Sequence, residues 1–373
     1  MTRLLCLLPL LGACTRVEPL DLPDDPSITG VPVGVHTEAI DGLTVEVWYP
    51  ASNHVQYEPG EAIDFRQFVP ADVADALGSY ELPPIPTIAV RDAPARHTGA
   101  PLPVVLFSHG FGATRLQSPN FTTHLASRGY VVVAADHAGR SMPDLLPCLF
   151  SPPLDGCNLD FGGADPAVDD VETLFDVLDQ WNTRPGGRFE GMLNLDEVGL
   201  AGHSAGGGTV ATVANTDPRV KAVLPMAAPS TVTADVPALR LAGSCDGIVP
   251  LDSVEQGQAQ STGDLLVVQG AGHLAFSDLC TLDLGGFAVT YLDGRDDVNQ
   301  LLLAQLVALG TDGCPGAVPP QPRPECQDMF LPLQISTPII RHYATVFFDD
   351  ALKGEGMGVT PGVYPHGVLA PSR

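Results

Sequence analysis

Gly202-His203-Ser204-Ala205-Gly206 matches the pattern G-x-S-x-G. A serine hydroxyl becomes a useful nucleophile only when a base takes its proton and fixed amides receive the charge that develops on the substrate. The small residues two places before and after the serine let the backbone turn sharply from a strand into a helix, with the hydroxyl at the tip. The flanks agree with that geometry. Glu197-Val198-Gly199-Leu200-Ala201 reads as the strand, and Gly207-Gly208 followed by Val210 to Val213 reads as the helix start. A tight structural turn would need the same glycines, so the motif must be weighed with its partners.

In folds built around such a turn, the acid and the base follow in the order Ser, Asp, His. Asp246 follows the apolar run Leu239-Arg240-Leu241-Ala242, and His273 follows Leu265-Leu266-Val267-Val268. Both are therefore expected at the strand ends that also present Ser204. His273 would take the Ser204 proton, and Asp246 would orient the imidazole and stabilise its charged form. His137 is the rival base, but it precedes the nucleophile. Asp278 and Asp160 are poorer acids, since neither sits where the last-but-one strand ends. Ser108-His109-Gly110-Phe111-Gly112 follows the buried run Pro103-Val104-Val105-Leu106-Phe107. The backbone N–H groups of Phe111 and of Ala205 are the expected oxyanion donors. The histidines are scattered and no H-E-x-x-H occurs, so no metal and no cofactor are expected.

The elements that must position these residues alternate in kind. Val45-Glu46-Val47-Trp48-Tyr49 alternates with period two and predicts an early, half-exposed strand. Phe121 to Arg128 predicts a helix, and Tyr130 to Ala135 the next buried strand. Val168 to Trp181 carries Val171, Leu174, Phe175, Val177 and Leu178 at helical spacing. Val220 to Met226 is a further strand, and Ile340 to Leu352 an amphipathic helix closing the chain. Strands alternating with helices of this length imply an α/β fold, with a mostly parallel central sheet and helices on both faces. Residues 137–166 and 281–335 break the alternation with Pro, Gly, Asp and paired cysteines. They read as loop insertions at the ligand-facing edge, with surface decoration as the alternative.

The 373 residues are 45% hydrophobic and 17% charged, a globular composition. Net charge is −26, which disfavours nucleic acid and anionic membranes as main partners and suits neutral or zwitterionic substrates. Met1-Thr2-Arg3, the apolar Leu4 to Leu11 and Leu11-Gly12-Ala13-Cys14 resemble a bacterial lipoprotein signal. Residues 1–13 would then be a signal peptide and Cys14 a lipidation site, with residues 14–31 a tether rich in Pro and Asp. Residues 32–373 form a single expected domain. Thr15, rather than Asp, leans the expectation to the outer membrane of the cell envelope; an ordinary secretory signal is the alternative. Cys148, Cys157, Cys245, Cys280, Cys314 and Cys326 remain for disulfides in an oxidising compartment. Six cysteines allow fifteen pairings. Proximity suggests Cys148–Cys157 and Cys314–Cys326, leaving Cys245–Cys280; free thiols in a reducing compartment are the other reading.

Phe107-Ser108-His109-Gly110-Phe111-Gly112 and Gly202-His203-Ser204-Ala205-Gly206-Gly207 together resemble the platelet-activating-factor acetylhydrolase and dienelactone-hydrolase-like group of the α/β-hydrolase superfamily. Val47-Trp48-Tyr49-Pro50-Ala51 resembles the group's early strand, and Ala344-Thr345-Val346-Phe347-Phe348 its last helix. The resemblance runs from about residue 32 to 355. It implies a serine carboxylic-ester hydrolase acting through an acyl-enzyme on small-molecule or lipid esters, phospholipid-type esters among them. Dienelactone hydrolases proper use a cysteine nucleophile, so Ser204 departs from that activity. Bacterial polyester (cutin-type) hydrolases are related. In them an aromatic commonly precedes the nucleophile and a Trp lies in the cleft. Here His203 precedes Ser204, and Trp48 and Trp181 lie away from the expected cleft. A Cys245–Cys280 bridge would match the disulfide that ties the acid and base loops in those enzymes. A reading from another class is an envelope-anchored binding protein on a hydrolase scaffold that has lost catalysis. The presence of Ser204, Asp246 and His273 in order favours the enzyme.

Overall fold

Runs of β-branched and aliphatic residues build one ten-stranded sheet. The computed structural model describes residues 30–69, 82–149, 165–282, 331–356 and 366–369, with isolated positions at 71–75, 295–304 and 359. Strands β1 (Val33–Ile40) and β2 (Leu43–Pro50) form a hairpin. Its turn residues Asp41 and Gly42 both have positive φ, 51° and 83°, as a two-residue turn matched to strand twist requires. A two-stranded ribbon of β3 (Ala62–Ile63) and β4 (Ile85–Pro86) follows, then the short β5 (Ala89–Arg91) beside β1. The remaining strands are β6 (Leu102–Ser108), β7 (Val131–Ala135), β8 (Leu193–His203), β9 (Val220–Met226), β10 (Leu239–Gly243), β11 (Asp264–Val268) and β12 (Gly367–Leu369). Their spatial order is β12-β11-β10-β9-β8-β6-β7-β2-β1-β5. From β11 to β7 every pairing is parallel, so the carboxyl ends of β6, β7, β8, β10 and β11 share one edge.

Six helices among the described residues flank this sheet: α1 (Pro119–Ser127), α2 (Met142–Leu149), α3 (Ala167–Thr183), α4 (Ala205–Thr216), α5 (Leu251–Gln258) and α6 (Leu333–Phe348). Successive strand residues go to opposite faces. Val105 and Phe107 of β6, with Val132 and Ala134 of β7, meet α1 and α6 through Leu125, Ile340 and Tyr343. Val104, Leu106, Val131 and Val133 meet α3 and α4 through Leu174, Leu178, Val210 and Val213. Both faces are thus covered, as the alternation of elements implies for a parallel sheet.

Two expectations are corrected. The strand expected to be half-exposed at Val45–Tyr49 is interior, because β1 and β7 pair on its two sides and both faces are packed. Its one charged residue, Glu46, is fully buried and accepts from Thr37, Arg91 and Arg115. The helix expected over Ile340–Leu352 begins earlier, at Leu333, and contains Pro338. A proline within a helical pattern reads as a boundary because it lacks an N–H, so the first turn was not legible. That helix does not close the fold: β12 adds to β11 as an antiparallel edge strand.

The expected signal peptide, Cys14 and most of the tether lie outside the described residues, as do most of the 281–335 insertion, Cys157, Cys314, Cys326 and the Cys280 side chain. In the other insertion, α2 occupies Met142–Leu149, and residues 150–164 lie outside. Cys148 and Cys245 are each disulfide-bonded. Among the described residues no helix is long and apolar enough to cross a membrane.

Candidate active site

Ser204 stands between the last residue of β8 and the first of α4, at φ 55° and ψ −121°. That is left-handed territory which a non-glycine residue occupies only when its surroundings enforce it. The enforcement is visible. The Ser204 N–H donates to the Met226 carbonyl of β9 at 2.8 Å. A Cβ at Gly202 would lie 2.3 Å from the Gly206 oxygen, and one at Gly206 would lie 2.0 Å from the Ser108 oxygen. The ends of β8 and β6 and the first turn of α4 therefore touch through bare backbone, and the serine is pushed outward, partly exposed.

Asp246 lies in the loop after β10 and His273 in the loop after β11, both essentially buried. His273 Nδ1 is 2.8 Å from Asp246 Oδ2. The other carboxylate oxygen accepts the N–H groups of Ile248 and Val249 at 3.0 and 2.6 Å. The carboxylate is thus held from both sides. Because it only accepts, His273 carries its proton on Nδ1 and leaves Nε2 bare.

The loop after β6 closes the third side. A Cβ on Gly110 would stand 3.3 Å from both Ser204 Cβ and His203 Nδ1, so this loop lies against the nucleophile turn. Its neighbours are pinned internally. Gly110 N–H donates to Gln117 Oε1 at 2.7 Å, and Gly112 N–H donates to the Arg140 carbonyl at 3.0 Å. Phe111, between them, is partly exposed, and Ala205 is the first residue of α4.

Beneath the loop lies a polar layer that motif reading passed over. Arg140 is buried and donates to Ser108 Oγ at 2.9 Å, the His109 carbonyl at 3.0 Å, Thr209 Oγ1 at 2.8 Å and Asp165 at 3.0 Å. Ser108 Oγ is also 2.9 Å from His137 Nε2, and His137 Nδ1 is 3.2 Å from Asp170. His109 Nδ1 donates to the Gly110 carbonyl at 2.7 Å, and its Nε2 accepts from the His137 N–H at 3.1 Å. Burial first, and then nearby positive charge, holds His109 and His137 well below the usual histidine pKa. His137, the rival base, is therefore engaged under the β6 loop with Ser108 and Asp170. Asp278 is turned towards Asn120, accepting its backbone N–H at 2.7 Å and its side-chain amide at 2.9 Å, and burial raises its pKa. Asp160 lies outside the described residues. Trp48 and Trp181 are both buried in the core.

Gln117 and Arg140 lie outside every motif in the sequence, and Ser108 and His203 lie inside two motifs without a role of their own being assigned to them. One signal was present: Arg140 lies in the loop directly after β7, at the same carboxyl edge as Ser204, Asp246 and His273. Among the described residues no group of His, Cys, Asp and Glu could hold a metal ion.

A family model for platelet-activating factor acetylhydrolase, isoform II, matches residues 36–144, and one for serine aminopeptidase, S33, matches residues 99–245. No curated protein sequence matches the chain. Among solved structures, a ferulic acid esterase from Streptomyces cinnamoneus superimposes with a TM-score of 0.57 at 24% identity, over 91% of this chain and 97% of that one. That likeness extends to the fold. With this sheet and strand order the chain has the α/β-hydrolase fold, and parts of it are similar to the platelet-activating factor acetylhydrolase and serine aminopeptidase models.

Proposed function

We propose that the protein hydrolyses carboxylic esters through an acyl-enzyme on Ser204. The observation that carries this reading is the Asp246–His273 hydrogen bond of 2.8 Å in the two loops beside the strained serine. In the first half-reaction Ser204 Oγ bonds to the ester carbonyl carbon while its proton passes to His273 Nε2. The carbonyl oxygen becomes an oxyanion facing the N–H groups of Phe111 and Ala205, at the positive end of α4. Collapse expels the alcohol, which leaves with the proton from His273. Water then attacks the acyl group, giving its proton to His273, and the acid departs as Ser204 recovers its proton. Asp246 keeps Nδ1 protonated and stabilises the imidazolium in both halves.

The substrate class we favour is small acyl esters of low negative charge, phospholipid-type esters among them, in keeping with the net charge of −26. A second reading, a polyester or cutin-type hydrolase, draws on one observation. Cys245 is disulfide-bonded directly beside Asp246, so the acid loop is covalently tied. Nitrophenyl esters of increasing acyl length, assayed beside a polyester film, separate the two. The first reading expects turnover of short soluble esters without release of products from the film; erosion of the film favours the second. Ser204→Ala is expected to lose at least about 10⁴-fold in kcat, and full activity in that variant rules out the nucleophile. Anchoring to the cell envelope through Cys14 belongs to the same proposal and rests on the sequence around that residue. Lipid attached at residue 14 in the intact mass of the mature protein would support it, and a mature chain starting elsewhere would not.

A further inference from the structure

Gln117 is buried and lies beyond the loop that holds Phe111. Its side-chain oxygen takes the Gly110 N–H at 2.7 Å. A backbone N–H can only donate, so this bond fixes which way the amide points. The amide nitrogen then faces His203 Nδ1 at 2.5 Å. On the other side of the ring, His203 Nε2 is 3.0 Å from the His273 carbonyl oxygen, which can only accept. Nε2 must therefore carry the proton, and Nδ1 is the bare nitrogen that receives the Gln117 amide. Every donor in this chain of three bonds meets an acceptor. Complete burial holds the His203 pKa well below the usual histidine value, with the neighbouring His273 adding to the effect, so the ring is neutral and one tautomer satisfies it. The ring also packs 4.7 Å from that of His273 and stacks on Phe276.

The three bonds join three different loops at telling positions. Gly110 precedes Phe111, His203 precedes Ser204, and His273 carries the base itself. We propose that Gln117 and His203 are positioning residues that hold the oxyanion loop, the nucleophile turn and the base loop in one register, through the Nε2–H tautomer of His203. The inference rests on the function proposed above for its kinetic consequences, while the tautomer stands apart from any activity.

The test has two arms. In ¹⁵N-histidine-labelled wild-type protein, the His203 ring, assigned by its loss in His203→Phe, is expected as the Nε2–H tautomer at neutral pH. A Nδ1–H or charged ring overturns the proposal whether or not the protein is active. In the kinetic arm, Gln117→Leu and His203→Phe, each shown to fold by its thermal transition, are compared with wild type on nitrophenyl acetate. Misplacement of reacting groups by about 1 Å costs about 100-fold. We expect kcat to fall by roughly 10- to 100-fold on that basis, with KM little changed. The double variant should fall no further than the worse single one, because both changes break the same path. Single variants with wild-type kcat, or losses that multiply, overturn the proposal. A wild-type protein that neither turns over esters nor reacts with a serine-directed probe overturns the function proposed above instead, and the tautomer then decides this inference alone.

Discussion

At the scale of single residues, Asp246 has the most sharply defined task. Its two oxygens are divided between the backbone N–H groups of Ile248 and Val249 and the His273 ring. Asp246→Asn keeps the shape but offers an amide where the ring needs an acceptor, which favours the wrong imidazole tautomer. The expected result is a loss of about 10⁴-fold in kcat with little change in thermal midpoint; a loss of less than tenfold in steady-state kinetics would mean that another group orients His273. Ser204, Asp246 and His273 could be proposed from the sequence because each chemical type has one order and one place at strand ends. Gln117 and Arg140 could not. Their roles depend on which buried partners surround them, and neither residue type nor spacing states that.

At the scale of elements, the site is held where strand ends approach each other without side chains. Gly206→Ala places a methyl where the Ser108 carbonyl stands, 2.0 Å away. The end of β6 must then move away from α4, carrying Phe111 with it. We expect the variant to lose activity by roughly 100-fold even under conditions where circular dichroism shows it folded; wild-type kcat in that variant would show that the contact does not set the site. Arg140 supports the same loop from below. Arg140→Met leaves the buried Ser108 hydroxyl and His109 carbonyl without their donor, and costs on the order of 3 kcal/mol in urea unfolding. A change below 0.5 kcal/mol would place the arginine outside the loop's support. Periodicity reports burial, and so made the strands from β6 to β11 readable, but it did not mark β1 or α5. It misjudged β2, whose buried Glu46 gave the alternating pattern of a half-wet strand. It missed the three-residue β12, too short to carry any pattern.

For the whole molecule, pH is the informative variable. His109, His137 and His203 are each held well below the ordinary value of 6.5, mainly by burial. The unfolded chain protonates each near 6.5 while the folded chain does not. Their stabilising contribution is therefore complete above pH 6.5 and is lost as pH falls towards their lowered folded values, by about 1.4 kcal/mol per pH unit for each. Glu61, Asp136, Asp170 and Asp278 have raised pKa values through burial and act in the opposite sense as pH falls through those values. His203→Phe isolates one histidine against this background. Its unfolding free energy should fall less steeply than that of wild type between pH 6.5 and 5.5, by about 1 kcal/mol. Identical slopes in urea titrations would mean that His203 titrates in the folded protein as it does when unfolded.

The chemistry proposed for this molecule turns on Ser204 being an activated nucleophile. The most direct measurement is the intact mass of wild-type protein after treatment with a fluorophosphonate, followed by peptide mapping. One adduct per chain, on the peptide containing Ser204 and absent in His273→Ala, is the expected result. An unmodified chain, beside a serine hydrolase that reacts in the same tube, or an adduct on another residue, would contradict it.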